Sequence, residues 1–434
     1  MRILHYFLGF PPYRTGGLTK YAVDLAQAQV QDGHVVMAMW PGEIKKYSGD
    51  PEIKKRKKIN GIINFELINP LPVPLDEGIK DFSAFTKPCD INIYISFIEK
   101  YKPDVIHIHT LMGIHKEFIE AANQMKIRTI MTSHDYFGIC PKVTLFRNGE
   151  CCDNDNNCMK CIQCNASALS LSKIRILQSP LYRFVKNMYI IKKFRNLHRN
   201  KFFDEENFPS MPDVDITYVS SQYRKLRSYY IEMLESIDFI HFNSTLAEEI
   251  YKRYITPKSS KVISIVHQGI KQQTINKVDT GEKVILYLAP TKPYKGWNVL
   301  KEACDQLWKE NDNIQLRVYS SVQNEKPYMI VKEDGFNHNE LPKIMSEADM
   351  LVAPSLWYET FGFTVLEALS YGVPVIVSNH VGAKDVIGDN GYIVESGNIQ
   401  ELKNAIKNMD KKVNINLKTW RYFMNENYKI YGEI

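Results

Sequence analysis

Residues 340–394 read ELPKIMSEADMLVAPSLWYETFGFTVLEALSYGVPVIVSNHVGAKDVIGDNGYIV, and the fold is decided here. Two short apolar runs, Met350 to Ala353 and Val373 to Val377, have the character of buried parallel strands. Between them a loop ends at Gly362, a segment with helical spacing follows, and Gly372 stops it. Glu359 lies on the loop and Glu367 inside the first two turns of the helix, so both carboxylates can face the crevice at the strand ends. The N–H groups of Phe361, Gly362 and Phe363 stand at the helix start, where a phosphate or sugar oxygen can accept from them. A plainer reading has one acid capping a helix N-terminus and the other solvated on its face.

The run PSLWYETFG, Pro354 to Gly362, followed by Leu366-Glu367-Ala368 and Gly372-Val373-Pro374-Val375, resembles the E-x7-E signature of retaining, nucleotide-sugar-dependent glycosyltransferases of family 4. Two acids at that spacing carry little alone; the residues around them carry the resemblance. It implies an α/β chain of the GT-B fold, two facing Rossmann-like domains, here with a cysteine-rich and basic helical insertion in the first. It also implies transfer of a sugar from a nucleotide diphosphate sugar, with retention, to a glycan or lipid-linked acceptor in bacterial surface polysaccharide synthesis. No cofactor is required for that catalysis. On the matching positions, Glu367 would take the ribose hydroxyls and Glu359 the sugar hydroxyls near the reacting carbon. Family members usually open one loop of the second domain with glycine-arginine and close it with lysine-glycine, two cations gripping the diphosphate. Here Lys295-Gly296 is present and Ala289-Pro290 replaces the first pair, so Lys295 would act with Lys292 or with backbone donors. PDVIHIH resembles the stretch whose last histidine lies by the donor sugar, which gives His109 that role, while His107 and His134 read as histidines bonded at the sheet edge. The same fold also serves epimerases and phosphorylases, and a sugar-nucleotide-binding scaffold is a further reading.

A chain of 434 residues has room for two or three domains with full cores. Its 44% hydrophobic and 24% charged content are those of a soluble globular protein. No apolar run approaches the ~20 residues that span a bilayer. The opening MRILHYFLGFPPY reads as a first strand and not a signal peptide, so a cytoplasmic location is expected. Six of the eight cysteines fall between Cys140 and Cys164, which in a reducing compartment points to a metal or to spare thiols. CMKC and CIQC are overlapping C-x2-C pairs, a zinc spacing. HDYFGICPK with the downstream NGECC and CMKC resembles a subset of these transferases with a cysteine-rich insertion; the ligands it implies for a structural Zn are Cys140, Cys152, Cys158 and Cys161.

Net charge is +6, unevenly spread. No acid occurs between Asp155 and Asp204, whereas Lys173, Arg175, Arg183, Lys186, Lys192, Lys193, Arg195, Arg199 and Lys201 do. Aromatic and aliphatic residues interleave with them. Residues 171–203 therefore read either as two helices divided by Pro180 lying on an anionic membrane surface, or as a basic helix packed on its own domain. Nucleic acid is disfavoured as a partner, because no recognised binding module accompanies the charge.

Along the chain, Arg2 to Leu8 reads as a strand and Leu18 to Gln31 as a helix. Gly16-Gly17 between them lets a ligand meet the backbone and the positive helix end. Lys45 to Asn60 reads as a charged loop, and Asp104–His109, Arg128–Ser133, Ile237–Phe242 and Lys261–Val266 as strands. The domains expected are 1–268, with the insertion at about 138–210, a hinge at 269–282, and 283–415; 416–434 forms a last helix which, by the resemblance, crosses back to the first domain.

Overall fold

The computed structural model describes residues 1–46, 49–75, 77–153, 157–188, 191, 209–273, 275–414 and 417–432. Its strands are β1 (Arg2–Tyr6), β2 (Val35–Pro41), β3 (Glu52–Ile59), β4 (Ile62–Ile68), β5 (Val105–Ile108), β6 (Arg128–Thr132), β7 (Phe146–Arg147), β8 (Glu150–Cys151), β9 (Phe239–Phe242) and β10 (Ser260–Val262) in the first half. The second half holds β11 (Lys283–Tyr287), β12 (Ile314–Val318), β13 (Met329–Val331), β14 (Met350–Ala353), β15 (Val375–Ser378) and β16 (Gly391–Val394). Two sheets carry the fold, in the orders β10-β9-β6-β5-β1-β2-β4-β3 and β13-β12-β11-β14-β15-β16. All pairings in the second are parallel, and in the first only β3 on β4 is antiparallel. The central strands are apolar throughout because helices cover both faces.

In each sheet the strand order reverses beside the first strand of its half, between β1 and β5 and between β11 and β14. Loops leaving neighbouring strands there diverge to opposite faces and open a crevice at the carboxyl ends. The exits of β1 and β6 supply Gly16, Gly17 and His134; those of β11 and β14 supply Lys295 and Glu359. The two crevices face each other. One apolar cluster joins Tyr21 and Leu25 of the helix Gly17–Gln31 to Phe361 and Val365 of the second domain and to Phe423 and Tyr431 of the last helix.

That last helix, Trp420–Tyr431, packs on the first domain: Arg421 and Tyr428 both bond Asp32, at 2.8 and 2.7 Å, and the Ile430 carbonyl accepts from Arg128. The segment expected as a charged loop, Lys45 to Asn60, instead contains the edge strand β3 with sequence EIKKRKKI. Its row of cations is how an exposed edge avoids pairing with other chains, and the same row masks its strand character in sequence. The strand expected at Lys261 to Val266 shortens to β10, since an edge position has one neighbour to pair with.

The insertion holds the β7–β8 hairpin and the short helices Met159–Cys164, Leu171–Leu177 and Pro180–Val185, the last with Pro180 at its start. Arg183 bonds buried Glu66 at 2.5 Å, with Arg56 on the other carboxylate oxygen at 2.7 Å, and it stacks over Tyr13 and Trp40. Arg175 bonds the carbonyls of Ile44 and Lys45, and Lys186 that of Tyr13. These basic groups therefore turn toward the domain and not away from it. Ile176, Leu181, Phe184 and Met188 face outward, Phe184 at 86% exposure. Lys192, Lys193, Arg195, Arg199 and Lys201 lie outside the described residues. No helix among the described residues is long and apolar enough to cross a membrane.

Candidate active site

Lys295 owes its place to the residue after it. Gly296 has φ +75°, and a Cβ there would stand 1.9 Å from the Pro354 carbonyl oxygen, so only glycine lets the β11 exit loop pass under the β14 exit. Lys295 then reaches across to Glu359, Nζ to Oε1 2.8 Å, above the Trp357 ring at 4.8 Å. Ser355 donates to the other carboxylate oxygen at 2.8 Å. Burial would raise the Glu359 pKa, but the Lys295 charge and the bonds from Lys295, Ser355 and Trp357 outweigh it and hold the carboxyl below its usual range. Glu359 is thus an oriented anion beside a cation.

Gly362 follows with φ +103°, and the helix Phe363–Ser370 begins with no side-chain cap, leaving its first N–H groups and the positive end of its dipole toward the cleft. Gly17 lies opposite, where a Cβ would meet the Phe363 ring at 3.4 Å. Glu367, one turn on, is buried, with Oε1 3.3 Å from His267 Nε2 and 3.8 Å from His338 Nδ1. At the altered position, the Pro290 carbonyl accepts from Tyr287 and from the Lys292 N–H, a turn that presents no cation at Pro290.

The cleft has two connected parts. One, about 350 Å³, is lined by Gly17, His134, Asp135, Glu359, Gly362 and Phe363. The other, about 600 Å³, is lined by Gly16, Gly17, His267, Phe336, Phe363 and Glu367. Gly16, Gly17, Glu359, Phe361, Gly362, Phe363 and Glu367 therefore gather around one space, with Lys295 on Glu359. His109 does not line it. Its ring is fully buried below, between His5 and His134, and of these three it is His134 that reaches the cleft wall. Ser355, His267 and His338 escape sequence reading; His134, read there as a histidine bonded at the sheet edge, bonds His109 and also lines the cleft.

The insertion closes one side. Asp153 accepts from the Tyr358 hydroxyl at 2.9 Å and from Arg253 at 2.6 Å, and the Cys151 thiol donates to the Leu356 carbonyl at 3.3 Å. Cys158 and Cys161 bond each other beneath the Arg227 guanidinium; that bond and burial push the Cys161 thiol well up. Among the described residues no three of Cys140, Cys152, Cys158 and Cys161 have their thiols within 4.8 Å of one another, so as placed they form no tetrahedral set. The three groups that do approach to that distance are His5, His107 and His109. Their nitrogens are taken up by protein partners.

Two facing Rossmann-like domains with this cleft between them define the GT-B fold. Residues 270–414 match the family described as "Glycosyl transferases group 1" and residues 15–149 "Glycosyltransferase Family 4"; the chain belongs to the group 1 glycosyltransferases. Among curated relatives it is 27% identical over 184 residues to an uncharacterised glycosyltransferase of Methanocaldococcus jannaschii, covering 36% of this chain and 46% of that one. It is 37% identical over 87 residues, 19% of this chain and 22% of the other, to the Escherichia coli UDP-Gal:alpha-D-GlcNAc-diphosphoundecaprenol alpha-1,3-galactosyltransferase. The chain spans less than half the length of the curated relatives it matches. Among solved structures it is similar to a glycosyltransferase from Rickettsia africae (TM-score 0.53, 12% identity, 100% of this chain and 98% of that). It is also similar to Anabaena HepE in complex with UDP (TM-score 0.52, 14% identity, 94% and 89%).

Proposed function

We propose that the chain transfers a sugar from a nucleotide diphosphate sugar to a glycan or lipid-linked acceptor, with retention at the anomeric carbon. The observation that carries the reading is the convergence of Lys295, Glu359 and the uncapped start of the helix Phe363–Ser370 on one cleft. Charge develops on the leaving diphosphate, and a fixed cation with helix N–H groups stabilises it without reorganising. Glu359 would exchange its bond to Lys295 for sugar hydroxyls once the diphosphate takes the ammonium. Glu367 would accept the two ribose hydroxyls. Retention rests on the resemblance to the E-x7-E enzymes, and no covalent carboxylate intermediate is needed as it is in retaining hydrolases. His109, buried beneath His134, would act on the donor through it.

The acceptor reading draws on the relatives' names, which include a diphosphoundecaprenol-linked substrate and, at 38% identity over 63 residues, an O-antigen chain mannosyltransferase of Escherichia coli. It draws also on the outward Ile176, Leu181, Phe184 and Met188, which would sink into a bilayer interface at the cytoplasmic face. A scaffold that binds donor without turnover is the second reading, favoured by the absence of a cation at Pro290.

The test is a thermal-shift panel of UDP, GDP, ADP and CDP, alone and as sugar conjugates, on the parent and on Glu367→Ala. A ligand that binds the native state raises the melting temperature. A rise with one base, lost in the variant, is expected; no rise at millimolar concentration overturns the donor site. Product formation with a polyprenyl-diphosphate-linked sugar then separates transferase from scaffold.

A further inference from the structure

Beneath the cleft, polar side chains from four strands and two helices form one continuous hydrogen-bonded run. His241 Nε2 meets the Ile263 carbonyl at 2.7 Å, and Thr132 Oγ1 lies 3.0 Å from His241 Nδ1 and 2.7 Å from His107 Nε2. The Tyr431 hydroxyl is 2.6 Å from His107 Nδ1 and 3.1 Å from Gln29 Nε2. Gln29 Oε1 is 2.6 Å from His5 Nε2, His5 Nδ1 is 3.0 Å from His109 Nε2, and His109 Nδ1 is 3.4 Å from His134 Nε2. All five imidazoles are pushed down by burial, His5 and His241 to about 4 and His134 to about 3, so each is neutral at pH 7 with one proton on one nitrogen.

One end fixes the rest. A carbonyl can only accept, so His241 carries its proton on Nε2 and its Nδ1 accepts from Thr132. Thr132 has one hydroxyl proton, so His107 Nε2 must donate to it and His107 Nδ1 must accept from Tyr431. Tyr431 has then spent its proton and accepts from the Gln29 amide, which turns Gln29 Oε1 toward a protonated His5 Nε2. By the same step His109 donates to His5 and His134 donates to His109. His134 is left with an unprotonated Nδ1, which has no protein partner among the described residues, on a ring that lines the cleft. Tautomers in this run are assigned by its logic, since hydrogen positions follow from the network.

We propose that Tyr431 is a positioning residue for the cleft: acting through Gln29, His5 and His109, it fixes His134 in the tautomer that accepts a hydrogen bond and cannot give one. The selection of a sugar hydroxyl as what His134 accepts from rests on the donor reading above; the tautomer does not. Without the tyrosine proton, the Gln29 amide can rotate by half a turn and donate to His5. Every bond from His5 outward then reverses, and His134 presents N–H to the cleft.

The experiment is ¹⁵N-histidine NMR of the full chain, with the His134 signals identified by their loss in His134→Gln. Imidazole ¹⁵N shifts read the tautomer directly and need no ligand. The parent is expected to show His134 protonated on Nε2, and Tyr431→Phe, which keeps the ring, to move that proton to Nδ1 in all or part of the population. In titrations with UDP-glucose and GDP-mannose, Tyr431→Phe is expected to weaken binding of the sugar nucleotide that the parent takes by roughly tenfold, the effect of one hydrogen bond, while UDP or GDP alone binds unchanged. A parent His134 protonated on Nδ1 overturns the proposal whether or not the variant folds. So does an unmoved tautomer in a folded Tyr431→Phe. An expected tautomer shift without binding of either sugar nucleotide upholds the network and counts against the donor reading alone.

Discussion

Replacing Lys295 by methionine keeps the stem over Trp357 and deletes the charge beside Glu359. The two side chains are 14% and 22% exposed and 2.8 Å apart, between the surface and interior limits. Exposed pairs contribute about 0–1 kcal/mol, and breaking a buried one costs about 3–5 kcal/mol. With a fifth of the pair in water, a loss of about 2 kcal/mol is expected, or about 4–8 °C in melting temperature. The sign of its pH dependence is the sharper check. In the parent, Glu359 is held below the usual carboxylate range, so its contribution is present above the unfolded pKa and is lost as pH falls through the folded one. In the variant only the bonds from Ser355 and Trp357 oppose burial, so the pKa rises and the buried anion costs more stability at neutral pH, a cost relieved by acid. The deficit between the two should be largest at pH 7–8, narrow as pH falls through the raised value, and close below the depressed one. Melting curves by circular dichroism from pH 8 to pH 4 measure it. A deficit that is constant with pH, or none at all, refutes the account of Glu359. Turnover should fall about 10²–10³-fold, the size expected when one transition-state charge partner is removed.

Gly296→Ala should cost more stability than an ordinary surface change. Its Cβ would collide with the Pro354 carbonyl at a positive φ, so the expected result is a melting temperature several degrees lower and weakened nucleotide binding. Phe184→Glu with Leu181→Glu should abolish co-flotation with vesicles containing anionic lipid while leaving the melting temperature within a degree, since neither side chain packs on the domain. A structural zinc on Cys140, Cys152, Cys158 and Cys161 would show as one metal per chain by elemental analysis and a melting temperature that falls with chelator. Arg183→Ala should expose the Leu171–Val185 region to limited proteolysis, because it removes the bond to Glu66 and the stacking on Tyr13 and Trp40.

Much of this was legible in the sequence because it is local. The strand, loop, helix and glycine pattern of residues 350–377 fixes a parallel unit whatever surrounds it, and Lys295-Gly296 marks a turn that only glycine can make. What escaped depends on partners far along the chain. His109 and His134 both follow strand ends, and nothing local says which ring reaches the cleft. That is settled by His5 and Phe7, whose rings pack on His109. The Arg groups of the insertion look solvent-facing until Glu66, 117 residues away from Arg183, is placed under them. β3 was hidden because charge on an edge strand serves against aggregation and not toward burial.

The helix Trp420–Tyr431 is also the part of the described chain that a ribosome makes last, yet Tyr431, Tyr428 and Arg421 complete hydrogen bonds begun by Gln29, His107 and Asp32. At about 5–20 residues per second, on the order of ten to thirty seconds separate synthesis of Ile263 from that of Tyr431. For that interval the amino-terminal half is a nascent domain lacking one wall, with His107 and Gln29 without their Tyr431 partner. A stop codon just before Trp420 would therefore injure the half of the protein that was made first.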